Sequence, residues 1–566
     1  MSLTPTIQQL FVAAAQAHRR GDLDGASALY ERILADAPTH LGARTNLVAI
    51  LEMARTETFH PRLAGRIAAS LAAPGANWEA LARSAVHQLR LKYAVPELRV
   101  PLESLDATPE LVATLAGDEL FRRAMATVIN RDYAFECWLT ALRRTLATAL
   151  ATGDITPDLV TVAAAVVIQS FNNEYVFAVS DAEAALGRAA TDRLSAKTDA
   201  PRDADVLLAA LYAPLANLPN AEALAQVPLD RWPPAVRLLV RRTLLDPLAE
   251  RELAATIDPI TPIADPMSQQ VRAMYEANPY PRWIALARRE PIDIRAALAR
   301  VYPQMTPPPA VHGPLSILMP GAGTGQHPLS VAVNYRDCRV LAVDLSMASL
   351  AYGKRMAADH GIANIEFRQG DILNLGSLGR TFDHIECIGV LHHMADPKAG
   401  LRVLTSCLVD GGLMRIGLYA EGGRRAVVEA RRVIAERGYA ATPGGLRRFR
   451  ADVATGRYPE LTALLDNDDF YSLSLLRDLV FHVHEHRLTM PELRRLLADL
   501  PLRVLGFEFT TGFAARATAE SPARQLYRTR YPDEPTGSDL AKWEQLEAER
   551  PELFTGYTFW CQKRAG

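Results

Sequence analysis

The chain of 566 residues is long enough for more than one domain, and its 49% hydrophobic and 22% charged residues are typical of globular protein. Lys and Arg number 62 against 64 Asp and Glu, a balance that argues against nucleic acid or an anionic membrane surface as a partner. The five cysteines form no CxxC pair, which argues against a disulfide framework or a structural zinc site and favours a reducing cytoplasm.

Residues 1–50 predict a helical hairpin. Small residues at Ala14, Ala17 and Ala26 flank a turn at Gly21, and this pattern is similar to a tetratricopeptide unit. A plain helical hairpin is the alternative. The apolar run at the start is amphipathic and is broken by residues 18–20, so it predicts neither a signal peptide nor a membrane span.

Residues 51–258 predict an α-helical domain with Ala- and Leu-rich segments. Within it Asn172, Asn173 and Glu174 interrupt an apolar face, which favours a buried hydrogen-bonded network over a substrate contact. Residues 259–314 predict a junction that contains the NPYP segment and the proline-rich linker MTPPPAVHGP.

Beyond the junction the pattern alternates between short apolar strands and helices. LSILMP, CRVLAVDLS, NIEFRQGD, FDHIECIGV and GGLMRIGLYA predict five strands within residues 315–422. Such alternation predicts an α/β domain with a parallel sheet and helices on both faces. Residues 423–500 predict a helical insert, and residues 501–566 supply the last two of seven strands, LRVLGFEF and GYTFWCQK.

A glycine-rich turn follows the first predicted strand, with Gly321, Gly323 and Gly325 in a GxGxG spacing. At the end of a strand and the start of a helix, such a turn lets a ligand approach the backbone. Gln326 occupies the position of the third glycine of a dinucleotide fingerprint, which disfavours pyrophosphate binding. The absence of a following Lys argues against a phosphate-binding P-loop.

Acidic residues follow the next two predicted strands. Asp344 ends the second strand, where an acid accepts hydrogen bonds from ribose hydroxyls. Asp371 follows the third strand, where its carboxylate can accept from an exocyclic amine while Ile372 flanks a purine. Together these residues predict a site for an adenosine that carries a non-phosphate tail.

The glycine turn, Asp344, Asp371 and the VLHHM stretch after the fourth strand resemble, in this order, the class I S-adenosylmethionine-dependent methyltransferases. The resemblance covers roughly residues 279–420 and the last two strands. It implies a seven-stranded Rossmann-like fold, methyl transfer, and S-adenosylmethionine as the cofactor. The residues that it implies around the cofactor follow the first four strands: Pro320, Gly321, Ala322, Gly323, Gly325, Gln326, Asp344, Leu345, Gly370, Asp371, Ile372, Gly389 and Val390.

The wider layout resembles bacterial tetratricopeptide-methyltransferase proteins and the rickettsial protein-lysine methyltransferases that modify outer-membrane proteins. YEANPYPRW, FNNEYVF, DDFYSLSLLRDLVFHVHEHRLTMPEL and FTGYTFWCQK carry this resemblance. It implies lysine side chains of a protein as acceptor, with the helical half or the insert docking the substrate or a second copy of the chain. A small-molecule or glycan acceptor, or a scaffold with an idle cofactor domain, remain as alternatives.

Candidate catalytic residues are Asn278 and Tyr280 of NPYP, which would hold an amine as part of a lid, and His392, which could act as a general base. For NPYP the alternative is a structural turn that packs Trp283 into the core. Predicted substrate contacts are Trp283, Tyr471, His484 and Glu485.

The FHVHEHR stretch places His482, His484 and His486 at alternate positions, which on a strand would share one face. No Cys or ordered set of acids completes a metal site there, and methyl transfer from a sulfonium needs no metal. We therefore expect no bound metal ion.

Overall fold

The computed structural model describes residues 6–103, 105, 108–153, 155–196, 201–308, 313–508 and 521–565. The chain divides into two compact units. The helical unit comprises residues 1–249, 282–290 and 439–476, and the sheet unit comprises residues 250–281, 291–438 and 477–566. Among the helices of the described residues, none is both long enough and apolar enough to cross a membrane.

Helices dominate the first half of the chain. Their bounds are α1 (Ile7–Arg19), α2 (Leu23–Asp36), α3 (Leu41–Met53), α4 (Pro61–Ala72), α5 (Trp78–Lys92), α6 (Pro109–Gly117), α7 (Glu119–Thr127), α8 (Tyr133–Thr152), α9 (Pro157–Asn172), α10 (Asp181–Ala196), α11 (Asp203–Ala210), α12 (Ala221–Ala225), α13 (Pro234–Val240) and α14 (Asp246–Ala254). The second half adds α15 (Pro266–Ala277), α16 (Ile294–Val301), α17 (Gln326–Asn334), α18 (Met347–Asp359), α19 (Pro397–Ser406), α20 (Arg425–Arg437), α21 (Pro443–Ala454), α22 (Leu473–Phe481), α23 (Met490–Leu497), α24 (Pro522–Arg530) and α25 (Leu540–Glu549).

Within the described part of the chain, the strands form one seven-stranded sheet in the sheet unit. They are β1 (Leu315–Pro320), β2 (Cys338–Asp344), β3 (Ile365–Gln369), β4 (Phe382–Ile388), β5 (Leu408–Tyr419), β6 (Leu502–Phe507) and β7 (Gly556–Lys563). The strand order is β3-β2-β1-β4-β5-β7-β6. Strands β1 to β5 are parallel, whereas β7 runs antiparallel to both β5 and β6. The predicted α/β fold is confirmed.

Alternate residues of the central strands enter separate cores on the two faces of the sheet. On β1, Leu318 belongs to one core, while Ile317 and Met319 belong to the other. Parallel strands covered by helices on both faces are apolar on both sides, which explains the unbroken apolar run of LSILMP. The first four strands therefore end as a rigid edge from which the following loops project.

Residues 1–50, predicted as a helical hairpin, contain α1, α2 and most of α3, and α1 packs on α2. A capping box starts α1, because the Thr6 hydroxyl accepts the Gln9 N–H and the Gln9 side chain accepts the Thr6 N–H. Ala14, Ala17 and Ala26 are buried, as close packing of two helices requires. Helix α3 follows directly, and the assignment to a tetratricopeptide repeat stays a prediction.

The polar residues at the end of α9 form the predicted buried network, and that prediction is confirmed. The Asn172 amide donates to the Met125 carbonyl oxygen at 3.0 Å. The Asn173 amide donates to the carbonyl oxygens of Asn130 at 2.9 Å and Tyr471 at 2.7 Å. These bonds satisfy polar groups that would otherwise be costly to bury.

The predicted insert over residues 423–500 is divided between the two units. Residues 439–476 belong to the helical unit, where Arg447 donates to the Tyr175 carbonyl oxygen and Arg450 pairs with Glu136 of α8. Helices α20 and α23 belong to the sheet unit. Polar contacts to α8 and to the turn after α9, invisible in the local sequence pattern, explain this division.

The junction predicted over residues 259–314 is also divided, since residues 282–290 belong to the helical unit. Pro259 forms a parallel bridge with Gln369, and the Ile260 N–H donates to the Gln369 carbonyl oxygen at 2.8 Å. This segment therefore extends the sheet beyond β3. Residues 309–312 of the predicted proline-rich linker lie outside the described residues.

Candidate active site

The turn between β1 and α17 consists of glycines in the left-handed region of backbone conformation. The φ angle is +70° at Gly321, +52° at Gly323 and +85° at Gly325. A Cβ at Gly321 would lie 2.2 Å from the Val390 side chain, and one at Gly323 would lie 2.6 Å from the Tyr280 carbonyl oxygen. The turn thus requires glycine twice over, and it leaves bare backbone at the carboxyl end of β1.

Asp344, the predicted ribose contact at the end of β2, also holds the glycine turn in place. Its Oδ2 accepts the Gly323 N–H at 2.7 Å, and its Oδ1 accepts the Ser346 N–H at 2.9 Å. Burial raises the pKa of the Asp344 carboxyl above its ordinary value, and these two donors act against that rise. One carboxylate therefore couples the turn to the second strand.

A second carboxylate, which the sequence analysis missed, lies at the start of α18. Glu276 on α15 accepts the N–H groups of Met347 at 2.8 Å and Ala348 at 3.0 Å. A carboxylate is favourable there because it meets the unpaired N–H groups of a helix N-terminus. No sequence signal marks it, since Glu276 precedes Met347 by 71 residues.

Asp371 follows β3 and offers one unsatisfied acceptor. Its N–H donates to the Thr261 hydroxyl at 2.7 Å, and its Oδ1 accepts the Leu373 N–H at 3.0 Å. Its Oδ2 is buried and has no hydrogen-bond partner among the described residues. Leaving a buried acceptor unpaired costs about 1–3 kcal/mol, so this oxygen suits a ligand donor such as the exocyclic amine of adenine.

The other predicted cofactor residues lie around the same strand ends. Gly389 follows β4 with φ +75° and has open space where a Cβ would point. Of the remainder, Pro320, Ala322 and Ile372 are buried, and Leu345 and Gln326 are half-buried. Gly370 directly precedes Asp371, and the Val390 side chain lies against Gly321. These strand ends fit an adenosine with a tail that carries no phosphate. They offer bare backbone at the glycine turn, the Asp344 carboxylate at the end of β2 and the Asp371 Oδ2 acceptor after β3.

The histidines after β4 are buried and uncharged. His392 is fully buried, neither ring nitrogen has a partner among the described residues, and its ring stacks on Tyr419 at 3.9 Å. Burial holds the pKa of His392 well below its ordinary value and lowers that of His393 to about 3. Neutral His392 is therefore a weak base at neutral pH.

Sequence reasoning singled out His482 but did not group it with His393, and it missed Asp478. His482 stacks on the His393 ring at 3.7 Å, and burial lowers the pKa of His482 to about 2. Asp478 on α22 accepts a hydrogen bond of 2.6 Å from the Tyr275 hydroxyl. The i, i+4 spacing of Asp478 on α22 and His482 just after it is a sequence signal that could have grouped these two residues.

Two predicted substrate residues of the 482–488 segment have internal partners. Glu485 forms an ion pair with Arg424, whose guanidinium lies 4.0 Å from the centre of the Tyr419 ring. His484 contacts the His486 ring nitrogen at 3.0 Å. Residues 482–487 are not a strand, so the alternation does not place the three histidines on one face.

The predicted site residues of the NPYP region belong to different units: Asn278 and Tyr280 to the sheet unit, and Trp283 to the helical unit. Asn278 caps the end of α15, and the Tyr280 carbonyl oxygen accepts the Thr324 N–H of the glycine turn at 3.0 Å. Trp283 and Tyr471 belong to the helical unit and are buried. The Tyr471 hydroxyl donates to the Leu465 carbonyl oxygen at 2.7 Å.

Comparisons with known proteins agree with this geometry. Residues 317–412 match the family model described as a methyltransferase domain. The chain is 31% identical over 258 residues to an uncharacterized protein of a Synechococcus strain, which covers 43% of this chain and 60% of that protein. It is 28% identical over 101 residues to the uncharacterized methyltransferase YcgJ of Bacillus subtilis, which covers 18% of this chain and 39% of that protein. The chain thus spans less than two thirds of either relative.

Among solved structures, the chain is similar to PKMT2 from Rickettsia typhi in complex with AdoHcy. The identity is 17% and the TM-score 0.36, over 48% of this chain and 54% of that one.

The family match covers β1 to the middle of β5, the same residues that supply the glycine turn, Asp344 and Asp371. The strand order, with antiparallel β7 between β5 and β6, completes the architecture. The sheet unit therefore contains a class I S-adenosylmethionine-dependent methyltransferase domain.

Proposed function

We propose that the protein transfers a methyl group from S-adenosylmethionine to the side-chain amine of lysine in a protein substrate. The cofactor, once bound, supplies a methyl group attached to a positively charged sulfur. The protein's own contribution is to bind this group at the ends of β1 to β4 and to hold the acceptor nitrogen in line with it. Positioning of this kind supplies most of the catalysis in such a transfer.

The observation that carries the proposal is a wall of uncharged rings beyond the carboxyl ends of β4 and β5. Its members form a continuous run of ring contacts, with centroids 3.7 to 6.1 Å apart: Tyr419, His392, His393, His482, Tyr275 and Tyr280. The run reaches the glycine turn through the Tyr280 carbonyl oxygen. We call it the ring wall.

The ring wall suits an amine before and after methylation. A free lysine amine has a pKa of about 10.4, so the site must favour the neutral form that can act as nucleophile, and desolvation by the faces of neutral rings acts in that direction. The methylated product is a cation, which aromatic faces attract. The same rings therefore support both binding of the substrate and tolerance of the product.

A protein substrate also gives the helical unit a role. We propose that this unit docks the substrate protein. The free, buried cysteines support the reducing cytoplasm as the compartment of the reaction.

The decisive experiment is a transfer assay with methyl-labelled S-adenosylmethionine and a lysate of the host. Label in a protein band that disappears when lysines are chemically blocked supports the proposal. The Gly323→Ala variant, whose new Cβ would clash with the Tyr280 carbonyl oxygen, serves as the control without cofactor binding.

Two outcomes contradict the proposal. Label confined to small molecules would make a metabolite or a glycan the acceptor. Absence of label, together with calorimetric evidence that S-adenosylmethionine binds, would make the protein a scaffold with an idle cofactor domain.

A further inference from the structure

One carboxylate lies within the ring wall. Asp478 is 3% exposed, and its Oδ1 accepts the Tyr275 hydroxyl at 2.6 Å. A carboxylate oxygen of Asp478 and one ring nitrogen each of His393 and His482 lie within 4.8 Å of one another. Two imidazoles and a carboxylate are also a common set of metal ligands, so the hydrogen bonds around them decide what the group can bind.

The hydrogen bonds assign different roles to the two imidazoles. His393 Nδ1 lies 2.8 Å from the His484 carbonyl oxygen, so it carries the proton and leaves a lone pair on Nε2. His482 Nδ1 accepts the His484 N–H at 3.1 Å, so the proton of this neutral ring is on Nε2. His482 Nε2 is buried without a partner among the described residues and is a donor rather than a metal ligand.

The ring geometry leads to the same distinction. The His393 and His482 rings are stacked, with an interplanar angle of 21°. Stacked rings direct their nitrogen lone pairs side by side rather than toward a common point, whereas metal ligands must converge. The cluster therefore presents two acceptors, the Asp478 carboxylate and His393 Nε2, to a group that carries several N–H bonds.

We propose that Asp478 and His393 bind the amino group of the methyl acceptor by accepting two of its N–H bonds. This inference rests on the proposed function and names the chemical class that the acceptor site takes, a primary alkylamine. With two N–H bonds held, the nitrogen lone pair points away from both protein acceptors, as attack on a methyl group would require.

The charge of Asp478 acts on the reaction itself. The amine nitrogen forms a bond to the methyl carbon, the carbon–sulfur bond breaks with its electron pair left on sulfur, and the nitrogen becomes an ammonium that later releases a proton to solvent. Positive charge thus develops on nitrogen, and a fixed, desolvated carboxylate beside it stabilises the transition state more than the neutral amine. Tyr275 holds that carboxylate in position.

The test uses full-length protein saturated with S-adenosylhomocysteine and two four-carbon probes, n-butylammonium and n-butanol, in saturation-transfer NMR titrations. The wild-type protein should bind the amine and discriminate against the alcohol. Asp478→Asn, which retains an acceptor for Tyr275, should weaken amine binding roughly tenfold or more without changing S-adenosylhomocysteine affinity. Asp478→Glu should recover part of the loss.

The matched control is Asp499→Asn, which removes one negative charge at a side chain that is 87% exposed. Equal amine affinity in Asp478→Asn and Asp499→Asn would overturn the inference. So would tight binding of Zn²⁺ that Asp478→Asn and His393→Gln both abolish, because the cluster would then be a metal site.

The inference and the proposed function can fail separately. Methylation of a small primary amine, lost in Asp478→Asn, would keep the inference and refute a protein substrate. Methylation of protein lysine that is unaffected in Asp478→Asn would refute the inference and keep the proposed function.

Discussion

Arg450 and Glu136 form a two-point ion pair although 314 residues separate them in the chain. The guanidinium donates to the two carboxylate oxygens at 2.8 and 2.7 Å, and both side chains are almost fully buried. Arg450 also donates to the Phe470 carbonyl oxygen at 2.7 Å. The pair joins α21 to α8 and explains why residues 439–476 belong to the helical unit.

Arg450→Met should destabilise the helical unit by about 3–5 kcal/mol, because it leaves the Glu136 carboxylate buried without its partner. Combining it with Glu136→Leu should recover much of this loss, since no uncompensated charge remains. Urea unfolding followed by circular dichroism measures both changes. Arg432→Met, at an exposed ion pair, is the control and should leave the unfolding midpoint unchanged.

Gly323→Ala should abolish measurable binding of S-adenosylhomocysteine in calorimetry. Its Cβ would lie 2.6 Å from the Tyr280 carbonyl oxygen, so the turn must move. Gly361→Ala is the matched control, because φ is +64° there but no atom of the residues that the structure describes lies within 4 Å of the added Cβ. Both variants carry left-handed strain of about 1–2 kcal/mol, so this strain alone cannot account for a difference between them. Similar affinities in the two variants would argue against the turn as the cofactor site.

Asp371→Asn should weaken S-adenosylhomocysteine binding about 10- to 100-fold, because the buried Oδ2 that we assign to the adenine amine loses its charge. The amide can donate instead, so the variant should bind S-inosylhomocysteine, which has an oxygen in place of that amine, at least as well as wild type. Competition titrations with the two ligands measure the reversal. A parallel loss for both ligands would mean that Asp371 supports the fold rather than reading the base.

The lowered pKa of the Glu386 carboxyl on β4 allows a prediction of how the stability of the protein depends on pH. Burial alone would raise the pKa of its carboxyl, but hydrogen bonds from His327 and His384 and the charge of Arg415 hold that pKa well below its ordinary value. A carboxyl with a depressed folded-state pKa adds stability above its unfolded pKa and loses it as pH falls toward the folded value.

Glu386→Gln should therefore lower the melting temperature at pH 7, and the gap from wild type should narrow as pH falls from 5 to 3. Melting curves across this range measure the effect. A gap that is constant with pH would show that the charge of Glu386 contributes nothing and that only its hydrogen bonds matter.

Strand ends and the glycine turn were predictable because their signals are local. Each of β1 to β5 is a short apolar run beside its own helix, and Gly321, Gly323 and Asp344 occupy set places at the ends of these strands. A parallel sheet brings successive strand ends to one edge, so chain order alone predicts the cofactor side.

The acceptor side was not predictable in the same way. Tyr275 on α15 and Asp478 on α22 are 203 residues apart, and no local pattern predicts the hydrogen bond between them. Glu485 has the expected position in the chain, yet its carboxylate is committed to Arg424. Irregular segments such as residues 482–487 have no periodicity from which a side-chain direction can be derived.

The interleaved make-up of the helical unit has a consequence for synthesis on the ribosome. Residues 439–476 emerge about 190 residues after residue 249, a delay on the order of 10–40 s at typical elongation rates. Throughout that interval the Glu136 carboxylate and the Asn173 amide lack Arg450 and the Tyr471 carbonyl. The first-made half of the protein is thus completed by a segment made much later, so the helical unit reaches its full set of contacts only when that segment arrives.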